Sequence, residues 1–135
     1  MKNVKNDNVA KLGELGISIV YLFGSKAIGT STPISDTDIG VVLKGPADIK
    51  DTRVLYNALY DLFTDEYPSA KLDIVFLQSA PVPLQYHTIT EGKILFEEDP
   101  GVTADYEEYV RTMYLDFKPL LEYFDKISSE RYTHV

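Results

Sequence analysis

Two stretches decide the fold: Ile17-Ser18-Ile19-Val20-Tyr21-Leu22-Phe23-Gly24-Ser25 and, ten residues later, Asp36-Thr37-Asp38-Ile39-Gly40-Val41-Val42-Leu43. Each contains the β-branched and aromatic run of a buried strand. The first ends on Gly-Ser and the second opens on two aspartates. Gly24 to Ser35 holds two Gly, three Ser, two Thr and Pro33, a turn-rich connection with room for one helical turn near residues 25–29. Residues i and i+2 of a strand share a face. Asp36 and Asp38 therefore project side by side, and Thr37 points away. Carboxylates that close raise one another's pKa unless positive charge lies between them. A divalent cation is the cheapest remedy, and hard Mg²⁺ prefers oxygen ligands.

Working outward, Val9 to Leu15 reads as a short helix stopped by Gly16. Val54, Leu55, Ala58, Leu59, Leu62 and Phe63 recur at helical spacing and predict a helix over 51–65, ending before Pro68. Lys71 to Leu77 is a third strand carrying Asp73. Pro81 and Pro83 lead into a helix over 84–91, ended by Gly92, and Ile94-Leu95-Phe96 reads as a short edge strand. The last segment, 103–127, is predicted helical, with Val110, Met113, Phe117, Leu120, Leu121 and Phe124 on one face and a kink at Pro119. The fold class is α/β: a small mixed sheet, flanking helices and a long C-terminal helix.

The 51–65 crossover lets strands two and three lie parallel and adjacent, which brings Asp73 beside Asp36 and Asp38. An antiparallel pairing of strands one and two puts Gly24-Ser25 on the same edge. Gly permits close backbone approach, Ser offers a hydroxyl, and a helical turn starting there aims free N–H groups at an anion. Three carboxylates facing a phosphate-accepting turn describe a two-metal site for phosphoryl or nucleotidyl transfer.

Composition narrows the partners. The chain has 135 residues, no Cys, 13 Lys+Arg and 21 Asp+Glu. That length suits one domain spanning 1–135, large enough to bury a core without disulfide or metal staples. Without Cys there is no disulfide framework, thiolate zinc site or thiol nucleophile. No leader-like apolar segment and no membrane-span-length run is present, so a cytoplasmic protein is expected, with no membrane partner. The net charge of −8 disfavours gripping a long nucleic acid by its phosphates. Residues 97–108 hold six carboxylates and no base, either a solvated surface or a face for a basic partner.

Gly24-Ser25, ten residues, then Asp36-x-Asp38 resembles the GS-x10-DxD signature of the polymerase-beta-like nucleotidyltransferase superfamily, and Gly29 and Ser35 fit its longer form. The four fixed residues recur by chance in roughly one chain per thousand of this length. Asp73 in Leu72-Asp73-Ile74-Val75-Phe76-Leu77, the Gly92-Lys93-Ile94-Leu95-Phe96 turn and the tail around Tyr114-Leu115-Asp116-Phe117 extend the likeness. They look like the minimal nucleotidyltransferases, in particular the MNT antitoxins paired with HEPN-domain ribonuclease toxins. The resemblance implies Mg²⁺-dependent transfer of AMP from ATP onto a hydroxyl, commonly tyrosine, of a HEPN-type partner. By matching position, Asp36 and Asp38 would hold two metal ions and Asp73 would complete the site of the ion that activates the acceptor hydroxyl. Gly24 and Ser25 would bind the β- and γ-phosphates. Relatives often carry Arg before the second loop Gly, where this chain has Ile28; Lys26 is a substitute donor or else a solvated surface lysine.

The remaining candidates read as structural. His87 has no second His at metal spacing, and Ser25 lacks a His/Asp relay. Tyr106, Tyr109, Tyr114 and Tyr123 are either packing residues of the last helix or a partner-binding face. Relatives that modify aminoglycosides or extend RNA add an acceptor-binding domain for which this length leaves no room, so the acceptor is expected on another protein. The competing readings are a small-molecule (aminoglycoside-type) nucleotidyltransferase and a non-catalytic antitoxin that neutralises by occlusion.

Overall fold

The computed structural model describes residues 4–24, 37–45, 52–68 and 71–133, without the side chains of 130–133. In chain order the elements are α1 (Asn6–Glu14), β1 (Ile17–Phe23), β2 (Thr37–Leu43), α2 (Thr52–Glu66), β3 (Leu72–Phe76), α3 (Val82–Glu91), β4 (Lys93–Glu97) and α4 (Pro100–Thr133). A 3-10 turn at Leu77–Ser79 follows β3. The four strands form one sheet in the order β3-β2-β1-β4. β1 is antiparallel to β2 and to β4, whereas β2 and β3 run parallel. The crossover through α2 and the edge position of the Ile94-Leu95-Phe96 strand are as the sequence predicts.

Both faces of the sheet are covered. Against α1 and α2 lies a core that includes Leu12, Ile17, Val20, Ile39, Val41, Leu59, Phe63 and Ile74. The opposite face packs Ile19, Tyr21, Val42 and Leu77 against Ile89 of α3 and Val110 of α4. Ile17 and Ile19 would share a face in a regular strand. Here a register shift between them, with Ile17 opposite Leu43 and Ile19 opposite Val42, sends them to opposite cores. Gly40 leaves room for Leu77, whose side-chain carbons lie 3.0–3.3 Å from where a Cβ would stand.

Three helices begin earlier than expected: α1 starts at Asn6 rather than Val9, and the other two start early for a proline's reason. α3 starts at Val82 rather than Leu84, because Pro83 lies in the first turn, where a missing N–H costs nothing. α4 starts at Pro100 rather than Thr103, with Asp99 Oδ1 accepting from the Gly101 N–H at 2.9 Å as its cap. It also runs past residue 127 to Thr133 and stays helical through Pro119. Among the described residues no helix is long and apolar enough to cross a membrane.

Candidate active site

Ile39 and Val41 belong to the α1/α2 core, so Asp38 between strand alternates stands on the other face of β2. Leu72 and Ile74 do the same for β3 and turn Asp73 to that face too. The parallel register pairs Asp38 directly with Asp73, and the antiparallel register pairs Asp38 with Phe23. Two carboxylates from neighbouring strands, about 4.8 Å apart in backbone spacing, thus share one edge with the end of β1. Asp73 is exposed and Asp38 is half-buried.

Gly24 follows Phe23 with φ of 76°. A Cβ there would collide with Asp38 Oδ2. Both the left-handed backbone and the tight approach demand glycine, so its place in the signature has a mechanical cause. Thr37 is fully buried, pointing away from Asp38 as predicted, and its hydroxyl has no partner among the described residues. Its N–H donates to Lys71 O at 2.7 Å, fixing where β2 and β3 start relative to each other.

The structure thus brings together Gly24, Asp38 and Asp73 of the expected site. Asp36, Ser25, Lys26, Ile28, Gly29 and Ser35 lie outside the described residues. Among the described residues no group of three His, Cys, Asp or Glu is gathered for a metal ion; the expected trio includes Asp36. His87 pairs with Glu91 at 3.4 Å along α3, an ordinary helix-surface contact.

One supporting contact was not legible in the sequence. The Tyr21 hydroxyl, two residues before Phe23 on the same face, donates to Glu107 Oε1 at 3.0 Å. Burial, then the Glu107 carboxylate, pushes the Tyr21 phenol well above its ordinary range. Tyr106, raised by the same two causes, donates to Gln85 Oε1 at 2.9 Å. These bonds tie α3 and α4 to the sheet beside the carboxylates. Glu107 belongs to the acidic run, and so does Glu98, which pairs with Lys44; part of that run holds the fold together.

A mixed sheet with a Gly-terminated strand pressed on a strand-borne aspartate defines a nucleotidyltransferase-type fold. The family model described as Polymerase beta, Nucleotidyltransferase matches residues 9–101, and the chain belongs to that family. No curated protein matches the chain significantly. Among solved structures, a chain from a crystal structure of a toxin-antitoxin with AMP-PNP is similar at 24% identity and a TM-score of 0.68, covering 92% of this chain and 99% of that one. A chain of the tri-AMPylated Shewanella oneidensis HEPN toxin in complex with MNT antitoxin is similar at 22% identity and 0.61, covering 90% and 96%. A chain of the toxin-antitoxin MntA-HepT gives 21% and 0.60, covering 92% and 99%.

Proposed function

We propose that the chain is the antitoxin of a HEPN/MNT pair acting in the cytoplasm, a nucleotidyltransferase that moves AMP from ATP to a tyrosine hydroxyl of its partner toxin. The observation that carries the reading is the Asp38–Asp73 register pair with Gly24 packed on Asp38, in a chain of the nucleotidyltransferase family. The solved relatives supply the partner class, since they are toxin-antitoxin structures, one with AMP-PNP and one with a tri-AMPylated HEPN toxin.

The residues suit Mg²⁺. Like charges share one sheet edge, their donors are hard oxygens, and at least one carboxylate is open to solvent. Asp38 and Asp73, with Asp36 by the resemblance, would hold it. Bound there, Mg²⁺ neutralises phosphate charge and lowers the pKa of the acceptor hydroxyl. Gly24 lets the backbone approach the β- and γ-phosphates, with Ser25, Lys26, Gly29 and Ser35 completing that loop. Asp73 stands on the exposed side, where the acceptor arrives. The hydroxyl gives its proton to solvent as its oxygen bonds to the α-phosphorus, the bond from that phosphorus to the β-bridging oxygen breaks, and pyrophosphate leaves. Positioning and charge neutralisation do most of the catalysis.

Mixing the protein with Mg-ATP and the HEPN-type protein encoded beside its gene should give an AMP-sized mass increase on the toxin. Asp38→Asn should abolish it. Toxin silenced with no adduct would favour occlusion instead, and turnover of an aminoglycoside without a protein acceptor would favour the small-molecule reading.

A further inference from the structure

Asp73 stands on an outermost strand. The sheet order is β3-β2-β1-β4, so β3 has β2 on one side and, among the described residues, no strand on the other. One bond shows which of its backbone groups face outward. The Thr37 N–H donates to Lys71 O at 2.7 Å, and Thr37 is paired with Leu72. In that parallel register the peptide groups of Asp73 and Val75 turn to β2. Leu72, Ile74 and Phe76 therefore aim their N–H and C=O groups out of the free edge.

The two edges of the sheet are unlike. β4 begins on exposed Lys93 and ends on exposed Glu97. Its register against β1 also shifts between Val20 and Tyr21. Charged ends and bulges are devices that keep an edge from pairing. β3, Leu72-Asp73-Ile74-Val75-Phe76, has no Lys, no Pro and no shift in its register with β2. Its one charge is Asp73, which faces the same side as Asp38. An edge of this kind accepts another strand.

We propose that the free edge of β3 takes an extended segment of the acceptor protein as a fifth strand, with the acceptor tyrosine on the face of Asp38 and Asp73. This rests on the function proposed above and names how the acceptor is held. Asp73 selects the occupant: it is exposed and lies on the last strand, so an acceptor hydroxyl that it serves has to come within reach of that strand. A strand laid on the outer edge puts its residue opposite Asp73 on the same face, with Cβ atoms about 4.5–5.5 Å apart, and its diagonal neighbours within reach of an aromatic side chain. Because Asp73 sends its backbone groups to β2, it meets an antiparallel newcomer at a non-hydrogen-bonded position, where side chains come closest. A tyrosine there sets its hydroxyl beside the carboxylates, while Leu72, Ile74 and Phe76 hold the backbone on either side. A second copy of this chain is disfavoured, since pairing β3 with β3 would set two Asp38–Asp73 pairs side by side, like charge against like.

The test uses the full chain, isotope-labelled for NMR, and the purified HEPN-type protein encoded beside its gene. Mg²⁺ and α,β-methylene-ATP are present, so that no AMP is transferred. Hydrogen exchange of the Leu72, Ile74 and Phe76 amides should slow at least about 10-fold in the complex. A proline probes the same edge through activity. Phe76 has φ of −80°, which proline can adopt. Phe76→Pro and Phe76→Ala both remove the ring, but only the first removes the N–H. The KM for the toxin should be about 5-fold higher in Phe76→Pro than in Phe76→Ala, the loss of one backbone hydrogen bond. kcat and ATP binding should be alike in the two. Unslowed amides in a complex whose parent transfers AMP, or equal KM in the two variants, overturn the added strand and leave the function standing. A parent that neither binds nor modifies the toxin overturns both. A dimer of this chain whose three amides are already protected without toxin shows self-pairing and overturns the proposal.

Discussion

Asp38 and Asp73 are direct partners in the parallel register of β2 and β3, on the face opposite the α1/α2 core. Asp38 is half-buried with Gly24 packed on it, and Asp73 is exposed. Asp73→Asn should lower AMP transfer by on the order of 10²–10³-fold, the usual cost of removing one preorganised electrostatic group. Without metal its Tm should hold or rise slightly, because one of two like charges is gone. Parallel measurements of the Mg²⁺-induced Tm shift and of transfer check both halves. Full activity in Asp73→Asn would remove Asp73 from the site.

Gly24 makes a second, independent test of the same edge. Its φ of 76° costs an L-residue about 1–2 kcal/mol, and an added methyl would collide with Asp38 Oδ2. Gly24→Ala should therefore lose stability by at least that amount and displace the Asp38 carboxylate. Transfer activity should fall more than thermal unfolding alone explains, as assays well below the variant's Tm would show.

The sheet and the carboxylates were legible because their signals are local. Strand alternation placed Asp38, the helix over 51–65 forced a parallel crossover, and Gly24 announced a close approach. The Tyr21–Glu107 bond spans 86 residues of sequence, and no local pattern marks such a partner. The tyrosines of α4 divide in the same way. Tyr106 and Tyr114 are half-buried, Tyr114 stacking on Tyr86 at 3.8 Å, while Tyr109 and Tyr123 are exposed. Helical spacing orders them on the helix, but only the position of α3 decides which are covered. The helix starts at Val82 and Pro100 were misplaced because proline was read as a boundary, when it is also a good first-turn residue.

The Tyr21 phenol gives a pH signature. Its folded pKa is raised above the ordinary 10.0 by burial and then by Glu107. The unfolded chain thus loses this proton near pH 10 while the folded chain keeps it. The contribution is fully present below pH 10 and is lost as pH rises beyond it. Tyr106 adds to the same trend. Tyr21→Phe should flatten the alkaline fall in Tm above pH 10. At neutral pH it should cost about 1.5 kcal/mol for the lost bond to a carboxylate. Denaturant titrations at pH 7 and pH 11 separate the two effects.

Far from the carboxylates, the buried Glu66 ties α1 to α2. Its Oε1 accepts from the Lys5 N–H at 2.8 Å and from Asn8 Nδ2 at 2.7 Å, and the residue is 1% exposed. Asn8 Nδ2 also donates to Asp65 Oδ2 at 3.0 Å, which with Lys5 holds the Asp65 carboxyl below its ordinary range. Removing the amide leaves a buried carboxylate short of a donor, a loss of about 1–3 kcal/mol. Asn8→Ala should therefore unfold at lower denaturant concentration. Glu66→Gln keeps an oxygen acceptor for the Lys5 N–H and should suffer less. Since α1 and α2 cover the face opposite Asp38 and Asp73, both variants should retain ATP binding at temperatures where they are folded. Equal stability of Asn8→Ala and the parent would show that this amide does not hold α1 in place.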